Sequence, residues 1–248
     1  MIKKFDAYIA IGDSMSIDLY PFNDAYAAKK TNNQEIGAAS LLIKNDDELF
    51  PEFQGKDLKS LLPGIETKNA AFDGATTNGL LAHEHASELE AYADKSTLLT
   101  MSIGGNDLLT YLERTANQKE RQPMAEVEEV LERIVKIVNA IESTLPKSFL
   151  VISNLYDPSD GTGHIPNVSG LKDKSDLDWL GYMNAFLRNL SNKNLDRRAL
   201  ADLHGHFLGH GANAKVEDDY WYWRASPIEP GWRGASEIRR LWLNCIKD

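Results

Sequence analysis

Residues 8–16 read YIAIGDSMS. Tyr8, Ile9, Ala10 and Ile11 make a short apolar run of the kind that fills a buried strand, and Gly12 permits the sharp backbone turn that leaves it. Ser14 then stands just beyond the strand's C-terminal end. In open α/β sheets ligands bind at that end, so a hydroxyl delivered there is a candidate nucleophile. The competing reading of Asp13-Ser14 is a turn or a helix N-cap, a role both residue types fill readily.

Working outward, the same pattern of apolar run, glycine turn and helix recurs. A long polar segment, about 16–64, reads as helix and loops around a buried AASLLI, and a second strand over about 65–71 leads into FDGATTNGLL and the amphipathic EHASELEAYA. STLLTMSIGGNDLL repeats it, with Asn106 and Asp107 opening the next helix. Between Met124 and Leu145, Val127, Val130, Leu131, Ile134, Val138 and Ile141 fall at helical spacing. SFLVISN reads as a fourth strand whose Gly/Pro-rich exit, LYDPSDGTGHIPN, is a loop on the catalytic side. A helix around DWLGYMNAFLRNL and a fifth strand near RALADL follow. This alternation predicts a parallel sheet covered by helices on both faces, in one domain spanning 1–248.

Composition narrows the function classes. At 248 residues and 42% hydrophobic, the chain can bury a full core. Its net charge of −10 and lack of a dense Lys/Arg patch work against nucleic acid and anionic membrane surfaces as partners. No stretch approaches the roughly 18 apolar residues of a transmembrane helix, and the N-terminus lacks a signal-peptide pattern. With Cys245 as its one cysteine, the chain forms no internal disulfide, and a cytoplasmic setting is the expectation.

The three glycine turns taken in order carry a resemblance. GDSM at 12–15 resembles the GDSL block, DGAT at 73–76 the glycine block and GGND at 104–107 the asparagine block of the SGNH hydrolases. These are esterases and lipases with a flavodoxin-like α/β/α sandwich around a five-stranded parallel sheet. The resemblance implies a soluble hydrolase of small ester substrates, some of them carbohydrate-linked, needing no cofactor. It makes Ser14 the nucleophile and implies an oxyanion hole from the Ser14 N–H, the Gly74 N–H and the Asn106 side chain. The residue types suit that chemistry: a glycine lets its N–H approach a tetrahedral intermediate, and an amide donates without a charge that titrates.

The last block departs from the family pattern. Where SGNH enzymes place Asp-x-x-His, this chain reads SPIEPGWRG, with Ser226 at the aspartate position and Glu229 at the histidine position. An unactivated serine is a poor nucleophile at neutral pH, so a base must come from elsewhere. DLHGHFLGHG offers Asp202, His204, His206 and His210. Flanking glycines favour His210 as the residue turned toward Ser14, with Glu229 as its acid partner. In the rival reading Glu229 is itself the base, with its basicity raised by burial or a carboxyl neighbour. The histidines could instead satisfy backbone groups, or hold a metal in a metal-dependent hydrolase; the weaker His83-Glu84-His85 run lacks the i,i+4 histidine spacing of a zinc helix. A ligand-binding protein that has lost its base is a further class. Tyr220, Trp221, Tyr222, Trp223 and Trp232 read either as core or as flat faces for a sugar ring or acyl group.

Overall fold

The computed structural model describes residues 2–82, 85–115, 123–165 and 177–247. In chain order the elements are β1 (Ala7–Gly12), α1 (Leu19–Ala27), α2 (Ala38–Ile43), α3 (Leu58–Leu61), β2 (Glu66–Asn69), α4 (Thr77–Ala82), α5 (His85–Glu90) and β3 (Thr97–Ser102). There follow α6 (Gly105–Arg114), α7 (Pro123–Thr144), β4 (Ser148–Ser153), α8 (Asp178–Asn192), β5 (Arg198–Ala201), α9 (Leu203–Phe207), β6 (Tyr222–Trp223), β7 (Ser226–Pro230) and α10 (Trp232–Cys245). The first five strands form one sheet in the order β2-β1-β3-β4-β5, every pair parallel. No helix among the described residues is long and apolar enough to cross a membrane.

The apolar runs are continuous because both faces of the sheet are covered. Side chains alternate across the pleat. Ile9, Ile11, Leu99, Met101, Leu150 and Ile152 pack into one core with α6, α7 and α8. Tyr8, Ala10, Leu98, Phe149 and Val151 pack into the other with α2 and α10. AASLLI at 38–43 is α2, with Ala38, Ala39, Leu41 and Leu42 buried as read. The strand order places the switch point between β1 and β3, where the chain departs first to one side of the sheet and then to the other. That crevice receives the exits of β1, β3 and β4.

One element was not legible in advance. β6 and β7 form a separate antiparallel hairpin beside the sheet, with an irregular register between Tyr222 and Trp223. It packs on α1 and α10, and the start of α10 directly after it is tied to α1 by the Trp232 N–H donating to Asp24 at 3.2 Å. The hairpin carries the altered last block, so its docking decides where Glu229 stands.

Candidate active site

Gly12 ends β1 at φ +116°, where an added Cβ would overlap the Ser102 carbonyl oxygen of β3. Only glycine meets both demands. The Asp13 N–H then donates to that same carbonyl at 3.0 Å, and residues 14–16 close one tight 3₁₀ turn. Asp13 caps this turn, accepting from the Met15 N–H at 3.2 Å, and also accepts from the Ser102 hydroxyl at 2.8 Å. The capping reading of the tripeptide is therefore correct for Asp13, and Ser14 is the residue it presents. As first residue of the turn, Ser14 has an N–H with no acceptor inside it.

Gly74 lies in the exposed turn after β2 at φ +70°, with open space where a Cβ would be, so conformation and not crowding calls for glycine. Asn106, in the first turn of α6, donates from Nδ2 to the Ala75 carbonyl at 3.0 Å, which sets its amide beside the Gly74 turn. Asp107 locks the two blocks together: it accepts from the Thr77 N–H at 2.9 Å and the Thr77 hydroxyl at 2.6 Å, with Arg133 at 3.4 Å behind it. Asn106 faces the crevice and Asp107 the scaffold.

A cavity of about 100 Å³ opens at the switch point, and Asp13, Ser14, Asn106, Tyr156 and Glu229 are on its wall. The remainder is largely apolar, with Leu109, Leu112, Leu155, Ile165, Leu180 and Ile228 among its lining. Leu109 and Leu112 follow Asn106 at steps of three along α6, a spacing that could have flagged them in the sequence. The Tyr156 hydroxyl donates to the Ile228 carbonyl at 2.8 Å and so fastens the β4 exit to the hairpin strand that carries Glu229.

Glu229 is 8% exposed, Ser14 6% and Asp13 3%. Burial pushes the Glu229 carboxyl up to about 7; the Ser14 side chain opposes this as a hydrogen-bonding neighbour, while the charges of Asp13 and Asp73 add to it. Its Oε2 is buried without a hydrogen-bond partner. Asp13 is also pushed up to about 7, chiefly by burial, against the pull of its bonds to Ser102 and Met15. Burial, together with the charges of Glu229 and Asp13, holds the Tyr156 hydroxyl well above its ordinary value. Asp73, in the β2 exit, is gripped by the Tyr20 hydroxyl at 3.0 and 2.9 Å.

His210 is not brought to Ser14. Its ring stacks on Trp221 with centroids 3.4 Å apart, its Nδ1 pairs with the Asp219 carbonyl at 2.8 Å, and it is not on the cavity wall. The flanking glycines serve the backbone. Gly209 sits at φ +91°, and a Cβ on Gly211 would overlap the Pro158 carbonyl. Asp160 clamps this loop by accepting from the N–H groups of Gly209, Gly211 and Asn213. His206 pairs with Glu237 at 2.8 Å, and Asp202 caps α9 and meets Asn154 and Arg188. His204 keeps a buried Nδ1 without a partner. No cluster of three or more His, Cys, Asp or Glu suited to a metal ion is found among the described residues, and His83 and Glu84 lie outside them. Among the aromatics, Tyr222 is core, Trp223 meets Tyr20 and Trp232 meets Phe50; none lines the cavity.

A parallel five-stranded sheet covered by helices, with a buried serine past its first strand and an asparagine past its third on the wall of one cavity, defines a three-layer α/β chain. Solved structures agree. The chain is similar to an extracellular lipase from Streptomyces rimosus at 18% identity and TM-score 0.62, covering 97% of this chain and 99% of that one. It is similar to the acetyl xylan esterase AlAXEase at 13% and 0.61, with 97% and 99% covered. A member of the lipolytic protein G-D-S-L family from Veillonella parvula matches at 12% and 0.55, with 96% of each chain covered. What is shared at these identities is the fold, and the chain has the fold of the GDSL lipases and esterases. No protein-family profile and no curated protein matches it.

Proposed function

We propose that this protein is a serine hydrolase of small carboxylic esters, with Ser14 as nucleophile and Glu229 as its base. The observation that carries the reading is that Ser14 and Glu229, both buried, share the wall of one cavity that also holds Asn106. The lipases and esterases of the same fold support ester bonds as the target. A carbohydrate-linked ester such as an acetylated sugar is one member of that class.

In the first step Ser14 Oγ bonds to the ester carbonyl carbon while its proton passes to Glu229. The carbonyl π pair moves onto oxygen, where the Ser14 N–H, the Gly74 N–H and the Asn106 amide receive it. Collapse expels the alcohol, which takes the proton from Glu229 and leaves an acyl-serine. Water then repeats the sequence with Glu229 again as base, releasing the acid. A carboxylate of ordinary pKa would be a weak acceptor for a serine proton, and burial together with two acidic neighbours makes Glu229 a stronger one.

The test is covalent labelling. A fluorophosphonate should add once per chain, at Ser14, and the addition should slow at least tenfold in Asn106→Ala. Labelling elsewhere, or none, overturns the reading. One observation favours a second reading, a binding protein that keeps the cavity without the chemistry: the described cavity wall has no histidine. Such a protein would bind short-chain esters and leave them intact.

A further inference from the structure

We propose that Asp13 is the positioning residue of the Ser14–Glu229 pair: fixed by Ser102 and the Met15 N–H on the wall of the same cavity, its carboxyl sets the proton affinity of Glu229. This rests on the assignment of Glu229 as base.

The geometry leaves Asp13 little else to do with its charge. Its Oδ1 is held at 2.8 Å by the Ser102 hydroxyl and at 3.2 Å by the Met15 N–H, so the carboxyl cannot swing away. A neutral amide oxygen would cap the turn equally well, yet an acid stands there, 3% exposed, with no Lys, Arg or His among the described residues of the cavity wall to balance it. Glu229 shares that wall with its Oε2 unpartnered. Asp157 is on that wall too, but its oxygens are taken by the Ser159 N–H and hydroxyl and the Gly161 N–H. The carboxyls of Asp13 and Glu229, buried on one wall, resist ionising together, and the pair titrates as a unit.

Glu229 is faced by Ser14 and Asp13 from the β1 exit, by Asp73 from the β2 exit, by Tyr20 from α1 and by Tyr156 from the β4 exit. Asp73 is exposed and held by Tyr20, so water and a hydrogen bond screen its charge. Tyr156 and Tyr20 remain neutral hydroxyls. Asp13, unlike Asp73, is shut away from bulk water. With both acids ionised, the uptake of the Ser14 proton by Glu229 takes the pair from two negative charges to one. Relief of that repulsion favours attack, and the proton is returned to the departing alcohol, so nothing is consumed.

Asp13→Asn keeps an oxygen for Ser102 and Met15 and removes only the charge. The rising limb of kcat/KM against pH should move acidward by about one unit, and the plateau should fall about three- to tenfold because the base is weaker, with KM within about twofold. Activity lowered equally at every pH, with the limb unmoved, would assign Asp13 to the turn alone and overturn the proposal. A second measurement does not depend on turnover or on that variant folding: side-chain carboxyl titration by ¹³C NMR in the full chain. The Asp13 signal should titrate at lower pH in Glu229→Gln than in the wild type; an unchanged midpoint overturns the coupling. If the coupling appears while Glu229→Gln retains full turnover, the base assignment has failed and the coupling has not.

Discussion

At the scale of single residues the substitution of Glu229 for the expected histidine changes what pH does to the reaction. A carboxyl pushed up to about 7 is the proton acceptor only once ionised, so turnover should rise with pH through a limb near 7. Ser14→Ala should abolish turnover. Glu229→Gln should cost about 10²–10⁴ in kcat, the usual worth of a general base. His210→Ala should leave kcat within about threefold while lowering thermal stability by roughly 0.5–1.5 kcal/mol, the worth of the ring pair with Trp221. Steady-state kinetics of both variants, with melting curves, check the order. A large kcat loss in His210→Ala would return the base to the loop at 202–210. Asn106→Ala should lose about 10²–10³ in kcat, as one oxyanion donor does elsewhere.

At the scale of elements, glycines at the strand exits differ in what they tolerate. Gly12→Ala meets both a left-handed backbone and the Ser102 carbonyl, and should reduce the yield of folded protein sharply. Gly74→Ala meets only the backbone demand and should fold with a loss of about 1–2 kcal/mol. Expression and denaturant titration of the two variants separate the cases. This is also the scale at which the sequence was most readable. Runs such as AYIAIG and SFLVIS are apolar throughout because both faces are buried, and α7 repeats its apolar residues every three or four positions around the Val130–Ile141 face. The hairpin was hidden because YW and SPIEP are too short and too polar for a period, and its position is fixed by contacts with α1 and α10 that lie far off in the chain. The place of His210 is hidden from the sequence for the same reason. Glycines beside it looked like freedom to reach Ser14, whereas the Asp160 carboxylate and the Pro158 carbonyl had already claimed that loop.

At the scale of the molecule, Asp13 and Glu229 make the folded state bind protons that the unfolded chain releases. Both have folded values near 7 against ordinary values of 3.8 and 4.5. Between those limits the native state carries the extra proton, so stability from these groups is greatest at the acid end and falls as pH rises toward 7. Above about 7 both states are ionised and the loss is complete. Glu142, Asp202, Glu217 and Glu237 are shifted downward and act in the opposite sense, but below this window. Chemical denaturation should therefore give higher stability near pH 5 than near pH 8. Glu229→Gln should remove part of that slope and stabilise the protein at pH 8 by on the order of 1–3 kcal/mol. A stability rising from pH 5 to 8 would contradict the burial of these carboxyls.

The bond from the Trp232 N–H to Asp24 spans 208 positions of chain, and it ties the start of α10, directly after the hairpin that carries Glu229, to α1. Closure over so long a loop is slow relative to the local pairing of helix and strand. In time, then, the proposed site should be assembled last: a refolding chain is expected to hold its serine turn and its sheet before the hairpin brings in Glu229. Far-ultraviolet dichroism should recover ahead of catalysis. The tryptophans at 221, 223 and 232 flank the late segment and supply its clock, so the return of their native fluorescence and the return of turnover should keep the same pace.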